Sequence, residues 1–350
     1  MISSILHGGS LGLSEDIVAN DRSHGSFPLV ANGKAAPVFV DSNDYPGVLR
    51  AATDVCSDVE RVCDIKPVLS FDRPSQLEAI VIVGTLGRSA LLNQLVKEGK
   101  LPAGDIEGKW ESFIIATVSD PLPGIGKALV IAGSDKRGTI FGLYELSEQM
   151  GVSPWYWWAD VAPKKRPEAF VNSGIYSSGE PVVRYRGIFL NNEAPCLTGW
   201  ADEKFGGLNS KFYTKLFELL LRMRANYLWP AMWNNAFNED DPDNPRLADE
   251  YGIVMGTSHH EPMMRAHKEW TKRRLEYGNG KWNYSTNAEA IQRFFREGIS
   301  RNKNYENLVT IGMRGDGDEG MESTGSVESD IKLLQRIFSD QRRILTERDW

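Results

Sequence analysis

The sequence predicts an α/β protein: a small N-terminal α/β domain followed by an incomplete (β/α)₈ barrel of the TIM type, with about the first four β/α units. Short apolar runs alternate with amphipathic segments, as in layered α/β folds. From residue 184 onward, each run is continuously apolar and ends in polar residues, as parallel barrel strands do. Four such units fill 184–350, whereas a closed barrel needs eight strands and ~250 residues, so we expect a barrel truncated at its C-terminal side.

The composition excludes several functional classes. Hydrophobic residues are 41% and charged residues 25% of the 350, which is a globular balance. A net charge of −7 disfavours nucleic acid and anionic membrane surfaces as partners. Three cysteines form neither a disulfide framework nor a zinc motif, and no apolar run is long enough to cross a bilayer.

The N-terminal part alternates predicted strands and helices. Residues 1–35 are expected to be an N-terminal extension, and 36–153 the small α/β domain. Strands are predicted at 36–41, 78–84, 113–118 and 128–132, and helices at 47–63, 89–98 and 137–150. An aromatic junction at 154–183 is expected to separate this domain from the half-barrel at 184–350.

The C-terminal part repeats a strand–helix unit. Strands are predicted at 186–190, 225–229, 252–256 and 307–313, and helices at 210–224, 288–300 and 327–345. Because barrel active sites lie at the C-terminal ends of the strands, the polar residues after these runs are the functional candidates. Nine of the ten tryptophans also lie between 154 and 350, and indoles serve either core packing or sugar stacking.

Two motifs at the strand ends invite other interpretations. Gly315, Gly317 and Gly320 spell GxGxxG, but the acidic residues between them would repel a pyrophosphate, and the pattern also fails as a calcium loop. His259 and His260 are adjacent, and adjacent strand residues point to opposite sides, so we expect no shared metal ion. His260 is expected to face the cleft, whereas His259 is equally compatible with a structural role.

The remaining strand-end residues suit glycoside hydrolysis, which uses a pair of carboxyl groups and needs no cofactor. The candidate catalytic residues are Glu193, Glu261, Asp316, Asp318 and Glu319. Asn191 and Asn192 can bind sugar hydroxyls, and Trp229 or Trp233 can form a stacking wall. Arg314 suits a substrate carboxylate, or equally an internal salt bridge to Asp316 or Asp318.

Four segments resemble glycoside hydrolase family 115, the xylan α-1,2-glucuronidases: RGIFLNNE at 186–193, the run from FGGLN at 205–209 to RANYLWPAMW at 224–233, GTSHHEPM at 256–263 and GMRGDGDE at 312–319. The resemblance covers residues from about 30 to 350. It implies release of glucuronic or 4-O-methylglucuronic acid from xylan with inversion, so glucuronoxylan or its oligosaccharides would be the partner. It also implies an extracellular location, although no secretory leader is visible.

This chain departs from the family, whose members are typically far longer and mostly secreted, and the resemblance leaves alternatives open. Asn192 stands where family members often carry an acidic residue, and the family's site also draws on strands beyond the fourth, so a catalytic acid is expected past residue 350. One alternative is a non-catalytic remnant that binds glucuronoxylan. Another is a retaining, hexosaminidase-like enzyme, since Asp318-Glu319 fits such a pair. The open edge of a half-barrel also predicts self-association, with a homodimer as one form.

Overall fold

The structure is a computed structural model, and it describes residues 12–347. The described chain divides into two compact units. The first unit runs to Tyr185 and also takes in Leu219–Ala225, and the second comprises Arg186–Glu218 and the residues from Asn226 onward. Within residues 12–347, no helix is both long and apolar enough to cross a membrane.

The first unit contains ten strands and three helices within the described residues. Its strands are β1 (Val18–Ala19), β2 (Phe27–Ala31), β3 (Lys34–Ala35), β4 (Val38–Val40), β5 (Leu69–Ser70), β6 (Leu77–Thr85), β7 (Phe113–Leu122), β8 (Ile125–Gly133), β9 (Ala169–Val171) and β10 (Ile175–Ser178). Its helices are α1 (Pro46–Cys63), α2 (Ala90–Lys97) and α3 (Lys136–Gln149).

These strands form two sheets. The larger has the order β10-β7-β8-β6-β4-β5, in which β5, β4, β6 and β8 are parallel while β7 and β10 are antiparallel to their neighbours. The smaller has the order β1-β9-β2-β3. Valine and isoleucine fill the central strands β6 and β8, whose middle residues are buried as expected of parallel strands covered on both faces.

Local sequence explains where the helices of this unit begin. Pro46 occupies the start of α1, where a missing N–H costs nothing. Asp135 caps α3 by accepting a hydrogen bond from the Gly138 N–H at 2.8 Å. Gly138 itself lies against backbone, because a Cβ there would lie 2.3 Å from the Ser112 carbonyl oxygen. The predicted helices thus agree with the structure to within one or two residues.

The second unit contains short parallel strands and longer helices. Its strands are β11 (Gly187–Phe189), β12 (Tyr227–Trp229) and β13 (Val254–Met255). Its helices are α4 (Cys196–Phe205), α5 (Ser210–Arg222, of which the part up to Glu218 belongs to this unit), α6 (Phe237–Asp240), α7 (Asp243–Tyr251), α8 (His267–Arg273), α9 (Tyr284–Asn302) and α10 (Val327–Thr346).

The strands of the second unit form one parallel sheet in the order β11-β12-β13. The fourth predicted strand, 307–313, makes only a single parallel bridge, between Asn307 and Met255. It nevertheless runs beside β13, since the Leu308 N–H donates to the Met255 carbonyl at 2.9 Å. The four runs therefore follow one another in the predicted order, but the last is not a regular strand.

Two expected segments have a different organisation in the structure. Within 12–35, expected to be an extension, β2 pairs with β9 of the segment 154–183, expected to be a junction. In the same segment, β10 pairs with β7. Both segments therefore contribute strands to the sheets of the first unit, because their short apolar runs find partners far away in sequence.

Candidate active site

The polar residues of the second unit gather where its parallel strands end. Asn192 follows β11, Trp233 follows β12, and His259 and His260 follow β13. The loop after the fourth run adds Asp318. Because parallel strands direct all their carboxyl ends to one edge of the sheet, residues far apart in sequence meet there.

Asp318 lies at the centre of this edge. Its Oδ1 is 2.8 Å from Nε2 of His259, 3.1 Å from an Nη atom of Arg314 and 3.9 Å from Nδ1 of His260. The His259 hydrogen bond, helped by the charge of Arg314, lowers the pKa of Asp318 below its usual value. Asp318 is thus an ionised carboxylate that is 41% exposed.

Arg314 is engaged within its own loop. Beside its contact with the Asp318 carboxylate, its guanidinium donates to the backbone carbonyls of Asp318 at 3.1 Å and Glu319 at 3.4 Å. The Trp282 indole N–H in turn donates to the Arg314 carbonyl at 3.0 Å. Of the two roles that the sequence left open for Arg314, the structure shows the internal salt bridge to Asp318.

A second histidine–carboxylate pair ties the same loop to α8. Nε2 of His267 is 2.6 Å from Asp316 Oδ1 and 2.8 Å from the backbone nitrogen of Gly317. His267 therefore fixes the glycine-containing loop. Asp316 remains 64% exposed.

An aromatic pair forms one side of the strand-end region. The rings of Trp233 and His260 stack with centroids 5.1 Å apart and an interplanar angle of 27°. Trp233 is 40% exposed, whereas His260 is buried, and burial lowers the pKa of His260. Nδ1 of His260 is 3.1 Å from the Ser258 hydroxyl. A neutral imidazole thus supports an indole that stays accessible.

Asn192 joins the ends of β11 and β12. Its side-chain Nδ2 donates to the Trp233 backbone carbonyl at 2.9 Å, and the backbone carbonyl of Asn192 accepts a hydrogen bond from the Thr198 hydroxyl. Among the described residues, its buried Oδ1 has no hydrogen-bond partner. A buried acceptor of this kind is costly when unpaired, so a ligand hydroxyl would be a favourable partner for it.

The other candidates from the sequence lie in different surroundings. Glu261 is buried, its Oε1 accepts the His267 backbone N–H at 3.3 Å, and burial raises its pKa to about 8. Glu193 and Asn191 are exposed beyond β11. Glu319 is exposed, and its carbonyl accepts from the Gly315 N–H at 2.9 Å.

Trp229 is half-buried at the end of β12. Its ring lies edge-on to that of Phe189, with 5.6 Å between the centroids. This contact joins neighbouring strands, so the structure places Trp229 in strand packing and leaves Trp233 as the more accessible indole of the two.

A cavity of about 270 Å³ borders Arg314, Glu319 and Leu334.

The two adjacent histidines differ from the sequence-based expectation. His259, His260 and Asp318 each offer a ligand atom, and these atoms lie within 4.8 Å of one another. The alternation of side chains assumed for a strand does not apply, because β13 ends at Met255 and both histidines lie in the following turn. No local signal in the sequence marked His259 or His267 as neighbours of the acidic loop.

Comparisons with known proteins agree with the motifs at these strand ends. The model of glycosyl hydrolase family 115 matches residues 178–349. The solved structure of a family 115 4-O-methyl-α-glucuronidase, described as specific for decorated arabinogalactans, is 33% identical, with a TM-score of 0.79. The match covers 92% of this chain and 41% of that one, so this chain spans about two fifths of that relative's length. No curated protein matched the chain in a sequence search.

More distant structures share the fold alone. The chitobiase of Flavobacterium johnsoniae is 13% identical with a TM-score of 0.50, over 95% of this chain and 50% of that one. A family 20 β-N-acetylhexosaminidase of Streptomyces coelicolor A3(2) is 8% identical with a TM-score of 0.51, over 97% and 64%. The family match and the 33% identical structure together show that this chain belongs to glycosyl hydrolase family 115.

Proposed function

We propose that the protein carrying this chain is a glycoside hydrolase that releases glucuronic or 4-O-methylglucuronic acid from polysaccharide side branches. The observation that carries the proposal is the ionised Asp318 at the strand ends, beside Arg314 and the Trp233–His260 pair. A carboxylate, a cation for a uronate and an accessible indole are the groups that a charged sugar requires. Family membership and the activity of the 33% identical relative support the same class of reaction.

We assign Asp318 the role of general base or water-orienting residue. Its lowered pKa favours a group that accepts a proton over one that donates it. Inversion, which the resemblance implies, needs a second carboxyl group ~6.5–9.5 Å away to leave room for water. Asp316 and Glu319 are too near in sequence to span that gap comfortably, so the acid should come from another strand end, with Glu193 and Glu261 as candidates in this chain.

The finer parts of the proposal concern substrate and architecture. We propose α-1,2-linked glucuronic acid on xylan as the preferred substrate, with glucuronoxylan as the natural partner outside the cell. We also propose that the parallel sheet of the second unit is part of a (β/α)₈ barrel. The order β11-β12-β13, with the fourth run beside β13, supports this architecture.

The test is an assay of the protein on three substrates. Glucuronoxylan oligosaccharides, uronate-decorated arabinogalactan and chitobiose are incubated separately, and released sugars are quantified. We expect uronic acid from glucuronoxylan, and proton NMR should show the β-anomer first, as inversion of an α-linkage requires. Release from arabinogalactan alone would contradict the xylan assignment. Release of N-acetylglucosamine alone would favour the hexosaminidase alternative, and binding without turnover would favour the non-catalytic one.

A further inference from the structure

The turn after β13 and the acidic loop bring two imidazoles and a carboxylate together. Nε2 of His259 and Nδ1 of His260 lie 2.8 and 3.9 Å from the same oxygen of Asp318. The side chains of His259 and Asp318 are about half exposed, so an ion from solvent can reach both. The backbone therefore already holds three candidate ligands in one place, which is the costly part of building a metal site.

The ligand types favour a particular class of ion. Two imidazoles and one carboxylate form the set that zinc accepts with its fourth position open to water. Imidazole suits Zn²⁺, Co²⁺ and Cu²⁺, whereas Mg²⁺ and Ca²⁺ prefer oxygen ligands alone. Ligand atoms about 2.0–2.2 Å from a tetrahedral zinc are separated by roughly 3.3 Å, so the observed distances need only small side-chain rotations.

Two groups oppose a cation at this position, the Ser258 hydroxyl, which lies 3.1 Å from Nδ1 of His260 and must turn away, and the guanidinium of Arg314. Arg314 lies 3.1 Å from Oδ1 of Asp318, the oxygen that also faces the histidines. The guanidinium also donates to two backbone carbonyls of its loop, however, so it is held without the carboxylate. Rotation of the carboxylate can offer one oxygen to the metal and leave the other to Arg314. The Arg314 guanidinium thus lowers the affinity of this site for a metal ion but does not occupy the position of the metal.

We propose that His259, His260 and Asp318 bind one zinc-type divalent ion, and that the bound ion inhibits the enzyme by occupying the Asp318 carboxylate. Metal and sugar would then compete for one group. Zinc is an inhibitor in this scheme and takes no part in the reaction. The inhibitory half of the proposal rests on the proposed function, whereas the binding half does not.

Binding is tested on the purified full chain without substrate. Co²⁺ is added as a spectroscopic probe, and Zn²⁺ is titrated by calorimetry. We expect one ion per chain and visible cobalt bands of four- or five-coordination. His259→Ala and Asp318→Asn should each weaken Zn²⁺ binding by at least about tenfold, a loss that even outer-shell changes cause at metal sites. Both residues are partly exposed, so neither variant threatens folding.

A matched histidine control separates this site from adventitious binding. His24→Ala removes an exposed histidine of the first unit. It should keep the affinity of the unsubstituted chain. Equal Zn²⁺ affinity in all three variants, or loss of binding in His24→Ala, would overturn the proposal.

The inhibition experiment keeps the two proposals apart. In an active protein, Zn²⁺ should raise the apparent KM for glucuronoxylan, and EDTA should reverse the effect. Zinc binding at these residues without inhibition would overturn the inhibitory half. An absence of uronic acid release without zinc would count against the proposed function and would leave the spectroscopic result standing.

Discussion

Parallel strands of similar composition have different surroundings in the two units. In the first unit, Val38–Val40 is buried throughout, between neighbouring strands of a larger sheet. In the second, Gly187–Phe189 is at the edge of its sheet, and Ile188 and Phe189 are 42% and 44% exposed. A continuous apolar run therefore indicates that a strand can be covered on both faces, while the neighbours decide whether it is.

Polar groups differ between the units in the same way. The first unit buries Glu111 against Arg137 at 2.5 Å, so this pair is inaccessible to a ligand and contributes to the packing of the fold. The second unit leaves Asp318 and Trp233 accessible at its strand ends. The Glu111–Arg137 pair thus stabilises the first unit, whereas the strand ends of the second unit are open to a ligand.

The largest effect that we expect is on turnover. Asp318→Asn in an active protein that contains this chain should lower kcat by about 10²–10⁴-fold, because an amide cannot accept the proton. The melting temperature should barely change, since the side chain is exposed. The measurement is steady-state kinetics on glucuronoxylan oligosaccharides, with melting followed by circular dichroism.

Asp243→Asn is the control, because it alters another exposed carboxylate of the second unit, one paired with Arg246 outside the site. It should keep full turnover. Near-normal turnover in Asp318→Asn would remove Asp318 from the catalytic residues and point to Asp316 or Glu319.

The next largest effect concerns the buried pair of the first unit. Glu111→Gln removes the buried carboxylate charge that lies 2.5 Å from Nε of Arg137, and should lower the free energy of unfolding by about 3–5 kcal/mol. Arg246→Ala breaks an exposed pair and should cost about 0–1 kcal/mol. Urea denaturation measures both. Equal losses in the two variants would break the distinction between buried and exposed charge.

A smaller effect is expected at the edge strand of the second unit. A Cβ at Gly187 would lie 1.8 Å from the Tyr227 carbonyl oxygen. Gly187→Ala should therefore push β11 away from β12 and lower the free energy of unfolding by about 1–3 kcal/mol. Gly199, inside α4, has no atom within 4 Å of such a Cβ, and Gly199→Ala should stabilise by about 0.5–1 kcal/mol. Thermal unfolding distinguishes the two signs, and a stable Gly187→Ala would show that the strand pairing is dispensable.

The smallest expected effect concerns the rates at which the three cysteine thiols react with a disulfide reagent. Burial raises the pKa of Cys56 to about 11, and Cys63 is also buried, whereas Cys196 is exposed. A disulfide reagent at neutral pH should therefore modify Cys196 quickly and the other two only after unfolding. The absorbance of the released thiolate gives the count. Cys196→Ser should abolish the fast phase, and a fast phase that persists would show that the first unit opens readily.

The sequence predicted the elements whose signals are local. The apolar stripes of α1, α3 and α10 located those helices to within one or two residues, since a helix is defined by contacts along its own segment. β2 was not predicted, because its partner β9 lies some 140 residues away and neither strand is long enough to show a period. The run at 307–313 was predicted as a strand because composition cannot reveal that only one bridge forms.

The candidate site was predictable to a similar degree. Residues after the strand ends could be selected because parallel strands share an edge, and Asp318, His260, Trp233 and Asn192 do meet there. The contacts of His259 with Asp318 and of His267 with Asp316 depend on turns whose conformation the residue types do not determine. Sequence reasoning thus identified the edge, and geometry was needed to assign partners.

The engagement of Arg314 by its own loop has a consequence for how an anionic ligand would enter. A sugar carboxylate that approaches this guanidinium meets a cation already neutralised by Asp318 at 3.1 Å. For a ligand that exchanges with Asp318 at this guanidinium, the net attraction reflects a difference between two carboxylates. The exchange also frees Asp318 of one of its cationic neighbours. Arrival of an acidic sugar would thus make Asp318 more basic, a change that a neutral sugar could not produce.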